Sequence, residues 1–211
     1  MSPRNTLHTI LSVSKTPSPG PAPAFTAVHV CRAILYIGDI GPIGRIELSR
    51  KLGLGEGAVR TIIRHLTRGG IVETAMGGCA FTQRGAALYK SLRSKLSEIR
   101  PVNAKQLAMD KASAAVKISG SRRMLRRGIE QRDAAIRAGA TGAVTLLHRN
   151  GQLVMPMSGS KDSASKLDAL LYQELEKSFA PSDGDVITIV SAPNQELAEH
   201  CVMAAALTLI E

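Results

Sequence analysis

Two short amphipathic runs joined by Gly53-Leu54-Gly55 constrain this chain more than any other feature. On the first side, residues 44–52 (GRIELSRKL) place Ile46, Leu48 and Leu52 on one helical face. On the second, residues 56–68 (EGAVRTIIRHLTR) repeat Val59, Ile62, Ile63 and Leu66 at i, i+3, i+4, i+7. A tight glycine turn lets two helices meet at the sharp angle of a helix-turn-helix. Upstream, residues 27–38 (AVHVCRAILYIG) form another one-sided helix through Val28, Cys31, Ile34 and Leu35, and Gly41-Pro42 closes it. Downstream, Gly69-Gly70 ends the helix 56–68. Two short strands, 71–75 and 79–82, flank Met76-Gly77-Gly78, and a helix over 83–99 follows with Ala86, Leu88, Leu92, Leu96 and Ile99 at roughly helical period. Three helices, a β-hairpin and a closing helix within residues 25–100 predict a winged helix-turn-helix domain.

The outer face of helix 56–68 carries Glu56, Arg60, Thr61, Arg64 and Arg68. Guanidinium groups one turn apart can fork onto guanine edges in the major groove or clamp phosphate. Arg45, Arg50, Lys51 and Arg68 are expected to face phosphates, and Glu56, Arg60, Thr61 and Arg64 to face bases. The wing has no Lys or Arg at its tip, so only weak backbone contacts are expected from it. His65 lies in the same helix, where a structural role and a phosphate contact both fit.

Charge supports the same half of the chain. Residues 1–100 hold 14 Lys and Arg against 5 Asp and Glu, whereas residues 101–211 hold 13 against 12. The electrostatic partner, duplex DNA, is therefore expected at the N-terminal half. Cys31, Cys79 and Cys201 are odd in number and far apart, which fits buried thiols and gives neither a disulfide framework nor a metal site. No apolar run is long enough for a membrane span, and Leu7–Val13 lacks the flanks of a signal peptide. A cytoplasmic location is expected.

Residues 14–24 (SKTPSPGPAPA) have four prolines in eleven positions, so residues 1–24 are expected to be a disordered Pro-rich arm. Arg100-Pro101 should stop the preceding helix, with a linker over 101–113. Residues 114–211 then read as strand 115–119, helix 123–138 with Leu125, Ile129, Ala135 and Ile136 inward, strand 143–148, an Asn150-Gly151 hairpin, strand 152–157, helix 165–179, strand 185–191 and helix 195–210. The order βαββαβα predicts a two-layer α/β sandwich with its helices on one face, and the whole chain is α+β. This second domain is expected to dimerise the protein or sense a small-molecule effector. Its order is similar to that of the feast/famine amino-acid regulators, which join a helix-turn-helix to a βαββαβ sensor.

Two features of this half could hold an anion. Arg122, Arg123, Arg126, Arg127, Arg132 and Arg137 form a basic run in which Arg123 and Arg127 would share a helical face; a solvated face, a DNA contact and an anionic-ligand pocket all remain open. Ser158-Gly159-Ser160-Lys161-Asp162-Ser163 resembles the SGGxDS loop of ATP pyrophosphatases, although Ser160 stands where the second glycine is needed for close backbone approach. An ATP- or nucleotide-binding enzyme using 158–163 is one alternative reading, and a winged helix serving protein or RNA contact is another. No nucleophile–base set is visible, so no enzyme and no cofactor are expected.

The stretches Gly41-Pro42-Ile43-Gly44-Arg45, Leu52 through Ile62 and Thr82-x-x-Gly85 resemble an uncharacterised family of archaeal transcription regulators. These join an N-terminal winged helix-turn-helix to a C-terminal GAD-like α/β domain. The resemblance implies transcription regulation, and it extends more loosely over 116–210.

Overall fold

The structure is a computed structural model that describes residues 3–14, 23–104, 110–156, 163–164 and 169–210. The chain forms two compact units, Met1–Arg93 and Ser94–Ile210.

The first unit contains α1 (Pro3–Ser14), α2 (Ala27–Ile40), α3 (Arg45–Leu52), α4 (Glu56–Arg68), a hairpin of β1 (Val72–Ala75) and β2 (Gly78–Phe81), and α5 (Gln83–Arg93). Its core is aliphatic: Val30, Ile34 and Ile37 from α2, Leu48 and Leu52 from α3, Val59, Ile62 and Leu66 from α4, and Leu88 and Leu92 from α5 are all buried. Gly53 ends α3 in the left-handed region, at φ 64°, with its N–H and that of Leu54 returning to the last turn of α3. A side chain would strain that backbone, which is why a glycine stands at this turn. At the other end of the domain Thr82 caps α5: its hydroxyl donates to the Gly70 carbonyl (2.7 Å) and accepts from the Gly85 N–H (3.1 Å). A Cβ on Gly85 would stand 2.0 Å from the Ile71 carbonyl oxygen. Thr82-x-x-Gly85 therefore locks the wing onto the closing helix.

Three expectations for this unit are corrected. Residues 3–14 of the expected disordered arm form α1, which packs on α2, α4 and α5 and buries Thr6, Thr9 and Ile10. The prolines that suggested disorder begin only at Pro17, beyond this helix. The closing helix stops at Arg93, not at residue 99. Leu96 bridges to Ile118 and the Ser97 N–H donates to the Lys117 carbonyl, so residues 94–98 run beside a strand of the second unit. Ile46, expected in the core, is 54% exposed, because α3 buries only Leu48 and Leu52.

The second unit is built on one sheet with every pairing antiparallel among the described residues. Its strands are β3 (Arg100–Pro101), β4 (Ala112–Ile118), β5 (Gly142–Arg149), β6 (Gln152–Met155), β7 (Ser163–Ala164) and β8 (Val186–Ala192), in the spatial order β3-β4-β8-β5-β6-β7. The helices are α6 (Ile129–Arg137), α7 (Ala169–Phe179) and α8 (Gln195–Leu207). The α+β class and the order of the main elements are as expected. Asn150 and Gly151 make the two-residue hairpin between β5 and β6, both at positive φ (52° and 73°), which suits the right-handed twist of the strands.

The last strand is central because every residue of VITIVSA is buried, which requires cover on both faces. Ile187 and Ile189 pack with Leu146 and with Leu171, Leu175 and Phe179 of α7. Val186, Thr188 and Val190 alternate to the other face, and α8, packed against α6, lies on β4 and β8. Helices therefore cover both faces, where the sequence suggested one. Residues 101–104, expected as linker, contribute Val102 and Ala104 to this core. The expected helix 123–138 begins only at Ile129. Gly128 has φ +77°, a helix-breaking value, and residues 121–125 fold as a turn on the Ser121 carbonyl. With that shift Ile129 and Ile136 become exposed, while Gln131 and Ala135 face inward.

Candidate nucleic-acid interface

The helix α4 spans the predicted limits, Glu56–Arg68, and its two faces separate by chemistry. Val59, Ile62 and Leu66 are buried and Ile63 half-buried, while Glu56, Arg60, Arg64 and Arg68 are exposed. Among the described residues no ion pair involves Arg60, Arg64 or Arg68, so a row of guanidinium groups at i, i+4 and i+8 faces solvent. A row without carboxylate partners can meet an anion without first breaking a salt bridge.

The remaining predicted residues divide in two. Arg50 is exposed near the end of α3. Arg45 and Glu56, assigned to phosphate and to base, are instead joined: the Arg45 Nε donates to Glu56 Oε2 at 3.1 Å. Both are substantially exposed, so the pair contributes no more than about 1 kcal/mol and can open toward a ligand. Glu56 also stands at the first turn of α4, where a carboxylate suits the helix dipole. The Thr61 hydroxyl donates to the Gly57 carbonyl at 3.1 Å, leaving only its lone pairs for a base. Lys51 is half-buried, with Nζ 5.6 Å from the centroid of the Tyr36 ring.

Tyr36 is a positioning residue that the sequence reading passed over. Arg32, buried one turn earlier on α2, donates to the Tyr36 hydroxyl at 2.8 Å and to the Lys51 carbonyl at 3.4 Å, and lies 5.5 Å from the ring centroid. Two cations thus lie within about 6 Å of the ring centroid, and the cluster ties α2 to the end of α3. The i, i+4 spacing of Arg32 and Tyr36 was the available signal. His65 is also resolved: its ring is 7% exposed, Nδ1 is 2.9 Å from the Val13 carbonyl of α1, and Phe25 packs edge-on at 5.8 Å. It is a tie between α1 and the back of α4, turned away from any phosphate.

The wing is short and uncharged at its tip. Met76 is 98% exposed, and the strands hold register from Val72↔Phe81 to Ala75↔Gly78. Ile43 bridges to Cys79, with backbone bonds of 3.2 and 3.0 Å, so the wing is fixed to the loop before α3. At Gly78, φ +143°, a Cβ would fall 2.1 Å from the Ile43 carbonyl oxygen.

The second candidate set is described only in part. Ser158, Gly159, Ser160 and Lys161 lie outside the described residues, and Ser163 is in β7, paired with Met155 of β6. Arg123 and Arg127 are exposed on the turn before α6, not on one helical face. Among the described residues no cluster of His, Cys, Asp or Glu could hold a metal ion, and no helix is long and apolar enough to cross a membrane. The three cysteines are buried, and burial pushes the Cys31 thiol up to about 12.

The basic helix, its glycine turn and the pinned wing all fall in the segment that a family comparison recognises. Residues 31–96 match the CggR N-terminal DNA binding domain. Within this CggR-like domain the match begins inside α2, runs past α5 and includes Arg45, Arg50, Lys51, Glu56, Arg60, Thr61, Arg64 and Arg68. Residues 109–209 match a domain of unknown function, DUF4443. A hypothetical protein from Pyrococcus horikoshii OT3 has a similar structure, with a TM-score of 0.68 at 27% identity over 86% of this chain and 91% of that one. No curated protein matches the chain.

One pH dependence arises in the CggR-like domain. His29, in the first turn of α2, accepts the Thr26 N–H on Nδ1 at 3.0 Å. Burial, reinforced by the Arg32 charge, pulls its ring from 6.5 down to about 4. The unfolded chain then binds a proton that the folded chain refuses, so stability is lost as pH falls from about 6.5 to about 4. Because the ring is partly in solvent, the discounted loss is roughly 1 kcal/mol. His29→Gln keeps an acceptor for the cap and cannot titrate. Urea midpoints followed from pH 7 to 4 should fall less steeply in that variant, and equal slopes would remove His29 as the cause.

Proposed function

We propose that this chain is a DNA-binding transcriptional regulator that reads the major groove through α4. The observation that carries this is the exposed, carboxylate-free row Arg60–Arg64–Arg68, opposite a buried stripe, within the segment similar to a DNA-binding domain. In this reading Arg60 and Arg64 fork onto base edges, Arg50, Lys51 and Arg68 hold phosphates, and Arg45 leaves Glu56 for a phosphate when DNA docks. The protein is a cytoplasmic binder, not an enzyme. Its second unit serves as a dimerisation or effector module. The exposed apolar side chains Ile129 and Ile136, two turns apart on α6, support a role in pairing subunits.

Selection from a random duplex pool, followed by anisotropy titration of the enriched sequence, tests the reading. A two-fold symmetric dimer would enrich half-sites about 10 base pairs apart, one turn of the duplex. Lys51→Ala should weaken cognate and scrambled duplexes alike and make the salt slope about 0.9 shallower, as expected for one lost phosphate contact. A pool with no enrichment, together with no duplex binding at low salt, would end the proposal.

A further inference from the structure

The C-terminal half has no net attraction for a polyanion as a whole, but its charge is unevenly placed. Of its 13 Lys and Arg, five lie between Arg122 and Arg132, and all five are arginine. Outside that stretch this half is acidic, with 8 bases against 11 carboxylates. Arg122, Arg123, Arg126 and Arg127 are all exposed, and among the described residues no ion pair involves them.

The segment that carries them is anchored at its start by hydrogen bonds. The Gly120 N–H donates to Asp185 Oδ1 at 2.9 Å, and Asp185 is itself buried and 3.6 Å from Lys117 Nζ. The Arg122 N–H donates to the Gly184 carbonyl at 3.1 Å. Met124 and Leu125 close a turn on the buried Ser121, and Leu125 is half-buried. At the far end Gly128 sits at φ +77°, against Thr145 of β5. The start of the turn is thus tied down by hydrogen bonds and its end lies beside β5, while four guanidinium groups face water. Arginine in place of lysine suits bidentate contact with phosphate oxygens.

We propose that the Arg122–Arg127 turn is a second phosphate-binding surface, which grips the backbone of duplex DNA. This rests on the regulator reading above. Phosphate contacts carry no sequence information, so the turn adds affinity without changing the preferred site.

The test is a full-length variant with Arg122→Ser, Arg123→Ser, Arg126→Ser and Arg127→Ser together, beside a second with lysine at the same four positions. Both are titrated with the selected duplex over a range of salt. The serine variant should show a slope of log K against log salt shallower by about 2 to 4 units, at about 0.9 for each phosphate lost, with unchanged discrimination between cognate and scrambled sequences. The lysine variant should keep the wild-type slope. Thermal melts of all three should coincide, because the replaced side chains are exposed. A serine variant with the wild-type slope, while the wild-type protein binds duplex, overturns this inference alone. A serine variant that loses affinity for single-stranded RNA but not for duplex overturns the assignment to DNA. A wild-type chain that binds no duplex overturns the regulator reading, and this inference with it.

Discussion

Replacing Arg60 and Arg64 together by alanine is expected to weaken binding to the selected duplex by a hundredfold or more and to abolish most of its sequence preference. Each bidentate contact of a guanidinium with a base pair contributes about 1–3 kcal/mol of discrimination, and 1.4 kcal/mol is a factor of ten. Both side chains are exposed on α4 and no ion pair among the described residues involves them, so the loss should come from the DNA and not from the fold. A urea titration of the double variant should match the wild type to within about 0.5 kcal/mol. The single variants should relax preference at different positions of the site, because the two residues lie one turn apart and reach different base pairs. A double variant with the wild-type ratio of cognate to scrambled affinity would remove α4 as the reading element, whatever its effect on overall binding. This result separates base contact from simple charge, since Lys51→Ala is expected to weaken all sequences alike.

The second large effect is on stability and lies in the helix that the sequence did not reveal. Ile10 is 0% exposed, on α1, where that helix packs against α2, α4 and α5. Truncation to alanine at a site of this kind costs about 2–5 kcal/mol, from the lost transfer free energy and from the cavity left behind. Leu11, its neighbour, is 42% exposed, so Leu11→Ala should cost less than about 0.5 kcal/mol. Chemical denaturation of the two variants in the full chain gives a direct contrast. Equal costs would show that α1 does not belong to the core in solution. The consequence reaches the interface, because the Val13 carbonyl on α1 is 2.9 Å from His65 on the inner side of α4. Loosening α1 should therefore lower affinity for DNA as well, although none of its residues belongs to the arginine row.

These outcomes bear on how the molecule divides its work. The arginines of α4 are useful only because their helix is held: Tyr36 and Arg32 fix the end of α3, Thr82 and Gly85 fix the wing to α5, and α1 backs α4. The wing adds shape but no charge. In the second unit, the sheet supports a turn of arginines in a half whose remainder carries a net acidic charge.

The sequence by itself determined the elements whose signals are local. Helix α4 runs from Glu56 to Arg68 as its periodicity predicts, because glycines bound it on both sides and its buried and charged stripes do not mix. The Asn150-Gly151 hairpin followed from two residues that tolerate positive φ. Tertiary structure decided the rest. A twelve-residue helix such as α1 is marginal alone and forms because α2, α4 and α5 offer it an apolar seat. Periodicity also told which residues share a face but not whether that face finds a partner, so Ile46, Ile129 and Ile136 came out exposed. Leu96 kept the period of a helix yet was buried as a strand-like residue against Ile118. The turn at Arg122–Arg127 shows the same limit, because Gly128 and the anchors on Asp185 and Gly184 override a helical pattern of charges. Local propensity is worth tenths of a kcal/mol per residue, whereas burial of one large side chain is worth about 1.5–3, so where the two disagree the packing prevails.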